Sequence, residues 1–125
     1  MTENELAKTV VGICLKIHRI LGPGLLESVY EEALCYELAK AGIRFKRQQG
    51  ISFMYEDIKM DLGFRSDVIV EDKIMIELKS VETVTPVHYK ILLTYLRLTN
   101  IKLGLMINFN VELIKDGIKR VVNNL

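Results

Sequence analysis

Apolar residues recur along this chain with two different periods, and the switches between them divide it into helices and strands. Leu6, Val10, Ile13, Cys14, Ile17 and Leu21 follow one another at three- and four-residue steps, which predicts an amphipathic helix from Glu5 to Leu21, stopped by Gly22-Pro23-Gly24. Lys16, His18 and Arg19 fall off that stripe and are expected on its solvated face. A second helix is predicted from about Leu25 to Ala41, with Gly42 as its C-terminal cap and Glu27, Tyr30 and Leu34 along one face. Arg44 to Tyr55 reads as a strand, and Glu56-Asp57 turns it toward Lys59-Met60-Asp61-Leu62. Thr85-Pro86 supplies a cap and a first-turn proline for a third helix reaching Leu98. Leu103 to Ile107 is apolar on both alternations, as in a strand buried by parallel pairing, so strand, helix and strand form a right-handed crossover. Lys115-Asp116-Gly117 then leads into a last strand, Ile118 to Val122. The predicted order is ααβββαββ, an α/β (α+β) domain with a central mixed sheet flanked by helices.

The stretch Gly63 to Lys79 breaks the usual rule that charge stays off apolar strands. Phe64 to Val70 and Ile74 to Leu78 are rich in Val and Ile around a polar break at Glu71-Asp72-Lys73, the pattern of a β-hairpin. A two-residue turn would pair Asp67 with Ile76 and point it away from Glu77. A three-residue turn pairs Asp67 with Glu77 and gathers Val68, Val70, Ile74, Ile76 and Leu78 on the opposite face. The second sorts the apolar residues better, and it places Asp67, Glu77 and Lys79 together.

Facing carboxylates repel, and a hard cation would compensate; Mg²⁺ takes oxygen ligands at about 2.0–2.1 Å, typically one or two carboxylates completed by water and phosphate oxygens. Lys79 beside such an ion could orient or deprotonate a water, or neutralise charge developing on a phosphate. The plain alternative is a solvated polar face on an antiparallel hairpin. Acid-x-Lys also occurs at Asp57-Ile58-Lys59 and Glu71-Asp72-Lys73, but only Glu77-Leu78-Lys79 lies inside an apolar strand with a second acid placed to meet it.

Composition narrows the classes. A chain of 125 residues with 50% apolar content fits one domain, residues 1–125, with a real core and no room for a separate binding module. No apolar run reaches the length of a membrane span, and MTENELAK has neither the basic start nor the apolar centre of a signal peptide, so a cytoplasmic protein with no membrane partner is expected. Cys14 and Cys35 lack Cys-x-x-Cys spacing and read as buried small apolar residues. A net charge of +1 does not mark a nucleic-acid binder overall, so such a role must rest on local patches. The densest is Lys40, Arg44, Lys46 and Arg47, which is either a charged edge protecting a strand or a phosphate-contact surface.

Asp67 followed by Glu77-Leu78-Lys79 resembles the signature of the PD-(D/E)xK nuclease superfamily. Gly24-Leu25-Leu26-Glu27-Ser28-Val29-Tyr30 resembles the motif of its GxxExxY group, and RSDVIVEDKIMIELKSV, TYLRLTNIKLGLMINFN and GIKRVVN extend the likeness in order. The resemblance implies a restriction-endonuclease-like core and a nuclease hydrolysing DNA phosphodiester bonds with Mg²⁺ or Mn²⁺. In that picture Asp67, Glu77 and the Leu78 carbonyl hold the metal, Lys79 positions the water, Glu27 assists, and Tyr95, Arg44, Lys46 and Arg47 contact the substrate. Without the resemblance, Glu27 is explained by the helix dipole. The chain departs from the family pattern at Ile91, where a glutamine four positions before Tyr95 is expected; that loss bears on rate and leaves the metal ligands intact. A different class, a catalytically silent nuclease fold binding nucleic acid or a protein, is the alternative. A domain this small covers little DNA, which is compatible with a homodimer.

Overall fold

The first helix is set by a reciprocal cap. The Glu5 N–H donates to Thr2 Oγ1 and the Thr2 N–H to the Glu5 carboxylate, starting α1 (Glu3–Leu21). In this computed structural model the backbone of residues 1–125 is described, with every side chain except that of Leu62. Helix α2 (Glu27–Lys40) ends where Gly42, at φ 72°, takes the left-handed conformation that glycine adopts without strain. The Ile43 N–H returns to the Leu38 carbonyl and the Gly42 N–H to that of Ala39, a Schellman closure that also buries Ile43. Helix α3 (Pro86–Thr99) begins with Thr85 as cap, whose N–H donates to His88 Nδ1 at 3.1 Å.

Five strands form one mixed sheet in the order β1 (Phe45–Tyr55), β2 (Ile58–Val70), β3 (Ile74–Lys79), β4 (Leu103–Asn108) and β5 (Ile118–Val122). Only the β3–β4 pairing is parallel, with α3 as its crossover, and a 3₁₀ turn at Ile114–Gly117 precedes β5. The observed order of helices and strands is the one the periodicity predicts, and the fold is α+β of the restriction-endonuclease-like kind. The second strand is longer than expected, because Ile58–Met60 joins Phe64–Val70 in one strand paired with β1 across an irregularity between Ile51 and Phe53.

The β2–β3 register runs Val70↔Ile74, Ile69↔Met75 and Val68↔Ile76, which is the three-residue turn at Glu71-Asp72-Lys73. Val68, Val70, Ile74, Ile76 and Leu78 therefore lie on one face, under the α1 and α2 residues Leu6, Val10, Cys14, Tyr30 and Leu34. Ile69, Met75 and Met106 lie on the other, under Leu92 and Leu96 of α3. Both sheet faces are thus covered, and the β3 residues from Ile74 to Leu78 are all buried. His18, expected in solvent, is instead 9% exposed, with Nε2 2.9 Å from the Val111 carbonyl and its ring beside Phe109. Its position off the apolar stripe still faces the segment between β4 and the 3₁₀ turn, and a single hydrogen bond satisfies it there. Among the described residues no helix is long and apolar enough to cross a membrane.

Candidate active site

β2 and β3 part just beyond Val68↔Ile76, and the polar residues sit where they part. At this point the Leu78 N–H of β3 donates to Asp67 Oδ2 at 2.8 Å instead of to a backbone carbonyl of β2. A residue's N–H and C=O leave a strand on the same side, so the Leu78 carbonyl faces the same opening. Glu77 is only 8% exposed and lies beside Asp67, while its Oε1 is buried without a partner. Ser66, with 0% exposure, also leaves its Oγ unpartnered. Buried polar atoms are nearly always satisfied, so the orphaned Glu77 Oε1, on the sheet face it shares with Asp67, marks a place built for something else; Ser66 lies on the other face.

The electrostatics follow from that burial. Desolvation pushes the Glu77 carboxyl up to about 8, helped by the neighbouring Asp67 charge, so one proton resides on the pair at neutral pH. Asp67 is also raised by desolvation, against the opposing pull of the Leu78 N–H. Tyr95 of α3 packs against the cluster of Ile69 and Met75, on the sheet face that carries the acids, and its phenol is raised by burial and then by the charges of Glu77 and Asp67. Its ring packs on Phe64 at 4.9 Å, and Phe64 on Phe53 at 5.5 Å. Ile91, one turn before Tyr95, is 41% exposed.

Helix α2 brings its first turn to the end of β3. Tyr30 has no exposed surface and stacks on Phe109 at 4.1 Å, and its hydroxyl donates to the Gly22 carbonyl at 2.6 Å while accepting from the Leu25 N–H at 3.1 Å. Those bonds fix the turn in which Gly24 sits at φ 84°, and so fix where the helix begins. Glu27 then accepts from the Ser80 N–H at 3.2 Å, immediately after Lys79. An open groove of about 450 Å³ runs here between Gly24, Leu26, Glu27, Ser80 and Asn110.

Two site residues carry no motif. Glu31, one turn beyond Glu27 and 9% exposed, accepts from Gln48 Nε2 at 2.7 Å, and Gln48 also reaches Asp67 Oδ1 at 3.4 Å. The spacing of Glu27 and Glu31 on one helical face is a signal for Glu31; none marks Gln48. The basic cluster proves to be paired. Arg44 bonds Glu71 at 3.0 Å, Lys46 bonds Asp72 at 3.1 Å, and Arg47 bonds Glu31 at 2.9 Å and Glu32 at 2.7 Å. The bonds to Glu32 and Glu31 hold the Arg47 guanidinium firmly protonated, and Arg47 in turn lowers Glu32. A cavity of about 520 Å³ lies beside these Arg44 and Lys46 pairs, lined also by Ile43, Phe45 and Ile69, and does not include Asp67 or Glu77.

The Asp67 and Glu77 carboxylates and the Leu78 carbonyl are oxygen donors, a set suited to a hard divalent cation. Among the described residues no three His, Cys, Asp or Glu side chains gather as a metal cage, so any ion here would rest on two carboxylates and a carbonyl, leaving positions for water and substrate. A family model described as the PD-(D/E)XK nuclease superfamily matches residues 4–121. No curated protein and no solved structure matches the chain.

Proposed function

The chain belongs to the PD-(D/E)XK nuclease superfamily, and we propose from that premise that it is a divalent-metal-dependent nuclease hydrolysing DNA phosphodiester bonds, a GxxExxY-type member acting in the cytoplasm. The observation that carries this reading is the buried Glu77 carboxylate, orphaned at Oε1 and set against Asp67. Asp67, Glu77 and the Leu78 carbonyl would hold Mg²⁺ or Mn²⁺, which when bound supplies the charge that ionises Glu77 and polarises a phosphate oxygen. Lys79, on the strand face of Glu77, orients the attacking water and offsets negative charge growing on the phosphate. Hydrolysis forms one P–O bond from that water and breaks the P–O bond to the departing nucleotide; the water's proton passes to solvent, and the departing oxygen takes up a proton from solvent. Glu27, bonded to the Ser80 N–H, borders the groove beside Lys79 and assists there. Tyr95 contacts substrate from the α3 side. Phosphate contact by Arg44, Lys46 and Arg47 requires exchanging a carboxylate partner for a phosphate, easiest at the exposed Lys46–Asp72 pair. A homodimer would extend this small footprint.

The test is incubation of the protein with supercoiled, linear, single-stranded and branched DNA. Cleavage is expected only with Mg²⁺ or Mn²⁺, to cease with chelator, and to be lost in Lys79→Ala while calorimetry shows metal binding retained. Normal metal binding without cleavage of any substrate would overturn it in favour of a silent nuclease fold that binds nucleic acid or a protein, the reading favoured by Ile91 and the net charge of +1.

A further inference from the structure

Gln48 sits within β1 at φ 49°, a left-handed conformation that a non-glycine residue rarely adopts inside a strand. It lies opposite Asp67: the pairing runs Arg47↔Val68 and Gln49↔Ser66, and the step between them is missing. Its amide nitrogen is 2.7 Å from Glu31 Oε1 and 3.4 Å from Asp67 Oδ1. The NH₂ end of the amide is the end that faces both acids, donating to an oxygen of each. Glu31 is in turn held by Arg47 through Nε at 3.3 Å and Nη2 at 2.9 Å. A continuous chain of contacts therefore runs from the edge strand through α2 to the opening between β2 and β3.

We propose that Gln48 is a positioning residue for Asp67, fixing which carboxylate oxygen is presented to the cation; the inference rests on the assignment of Asp67 as a ligand. Asp67 has two oxygens. The Leu78 N–H takes Oδ2 at 2.8 Å and the Gln48 amide takes Oδ1, so the carboxylate is held from two strands at once and keeps only its remaining lone pairs for a ligand. With the amide removed, the carboxylate rotates about its last bond and the Leu78 contact loosens. Outer partners of this kind tune metal affinity without touching the metal. The unusual backbone at Gln48 is the local feature that turns the side chain toward the two acids, and Glu31, anchored by Arg47, keeps the amide from swinging into solvent.

Glycine adopts the left-handed backbone freely, so Gln48→Gly removes the amide while relieving the strand. The variant is expected to melt at or above the wild-type temperature. In the metal-free full-length chain, hydrogen exchange at the Leu78 N–H, followed by NMR, should speed up about tenfold, and calorimetric Mn²⁺ affinity should fall about 10–100-fold. Unchanged Leu78 exchange, or faster exchange with wild-type Mn²⁺ affinity, overturns the proposal. Should glycine lower the melting temperature, Gln48→Met keeps the length without a donor and is expected to give the same two results. The metal assignment has its own control: wild-type protein that binds no Mn²⁺, or binds it as well after Glu77→Gln, sinks the ligand role of the acids, and the metal-free exchange measurement then still decides whether Gln48 positions Asp67.

Discussion

The two halves of the β2–β3 hairpin are opposite in chemistry, although burial reaches into both. Near the turn, Val68, Val70, Ile74 and Ile76 have no exposed surface and are paired strand to strand. A residue or two further on, pairing stops and the strands carry Ser66 on one face and Asp67 and Glu77 on the other, with one buried oxygen unsatisfied on each. The apolar half stabilises the fold by removing hydrocarbon from water; the polar half costs stability, because burying charge without a partner is unfavourable. The second can persist only because the first, with α1, α2 and α3 on the two sheet faces, over-determines the strand geometry.

The largest expected effect lies in the apolar half. Ile76→Ala leaves a cavity in a fully buried layer and should cost about 2–5 kcal/mol in denaturant unfolding. A loss below 1 kcal/mol would mean that the hairpin is not held by its apolar end, and the contrast would fail.

In the polar half the sign should reverse. Glu77 has a folded pKa of about 8 against an ordinary 4.5, so its contribution to stability is fully present below pH 4.5 and is lost as pH rises toward 8. Metal-free protein should therefore lose on the order of a few kcal/mol across that window. Glu77→Gln cannot ionise; it should flatten the profile and melt higher than wild type at pH 8. Mg²⁺ competes with the proton, so its stabilising increment should grow over the same range and vanish in the variant. Thermal melts from pH 4 to 9, with and without Mg²⁺, read all of these; an equal slope in wild type and variant would show that Glu77 does not carry the titration.

The contrast explains what could be read in advance. Hydrophobic sorting on a period of two was enough to choose the three-residue turn, because a one-residue slip would have put Val68 and Val70 on the face opposite Ile74 and Ile76. The same sorting grouped Asp67, Glu77 and Lys79. Periodicity describes regular elements, however, and the site lies where a strand stops being regular. The left-handed backbone at Gln48 has no glycine or asparagine to announce it, and the burial of Glu31 depends on Arg47, which is distant in sequence and reads as a surface charge. The pairing of Arg44 and Lys46 with Glu71 and Asp72 is hidden for the same reason: a basic cluster in the sequence becomes an ion-pair network once β1 lies beside the turn after β2. His18 was misplaced because helix periodicity locates the main stripe but not a late segment such as Val111 that covers the helix flank.

The smallest expected effect on stability is also a test of how far the polar half extends. Ile91 stands where the resemblance calls for glutamine, and a buried site would make the substitution costly because an unpaired amide loses its water. Ile91 is 41% exposed, so that cost falls away, and Ile91→Gln should shift stability by no more than about 0.5 kcal/mol. Its position one helical turn before Tyr95 puts the new amide on the side of α3 that carries the phenol, which feels the charges of Glu77 and Asp67. A neutral hydrogen bond made there to the attacking water or a phosphate oxygen is worth about 0.5–1.5 kcal/mol, which corresponds to a roughly 2- to 13-fold faster cleavage if it forms in the transition state. Single-turnover cleavage at saturating Mg²⁺ isolates that step. A faster rate with unchanged melting temperature would extend the polar end of the hairpin onto α3; an unchanged rate would confine it to the two strands and α2, with Ile91 as the apolar rim.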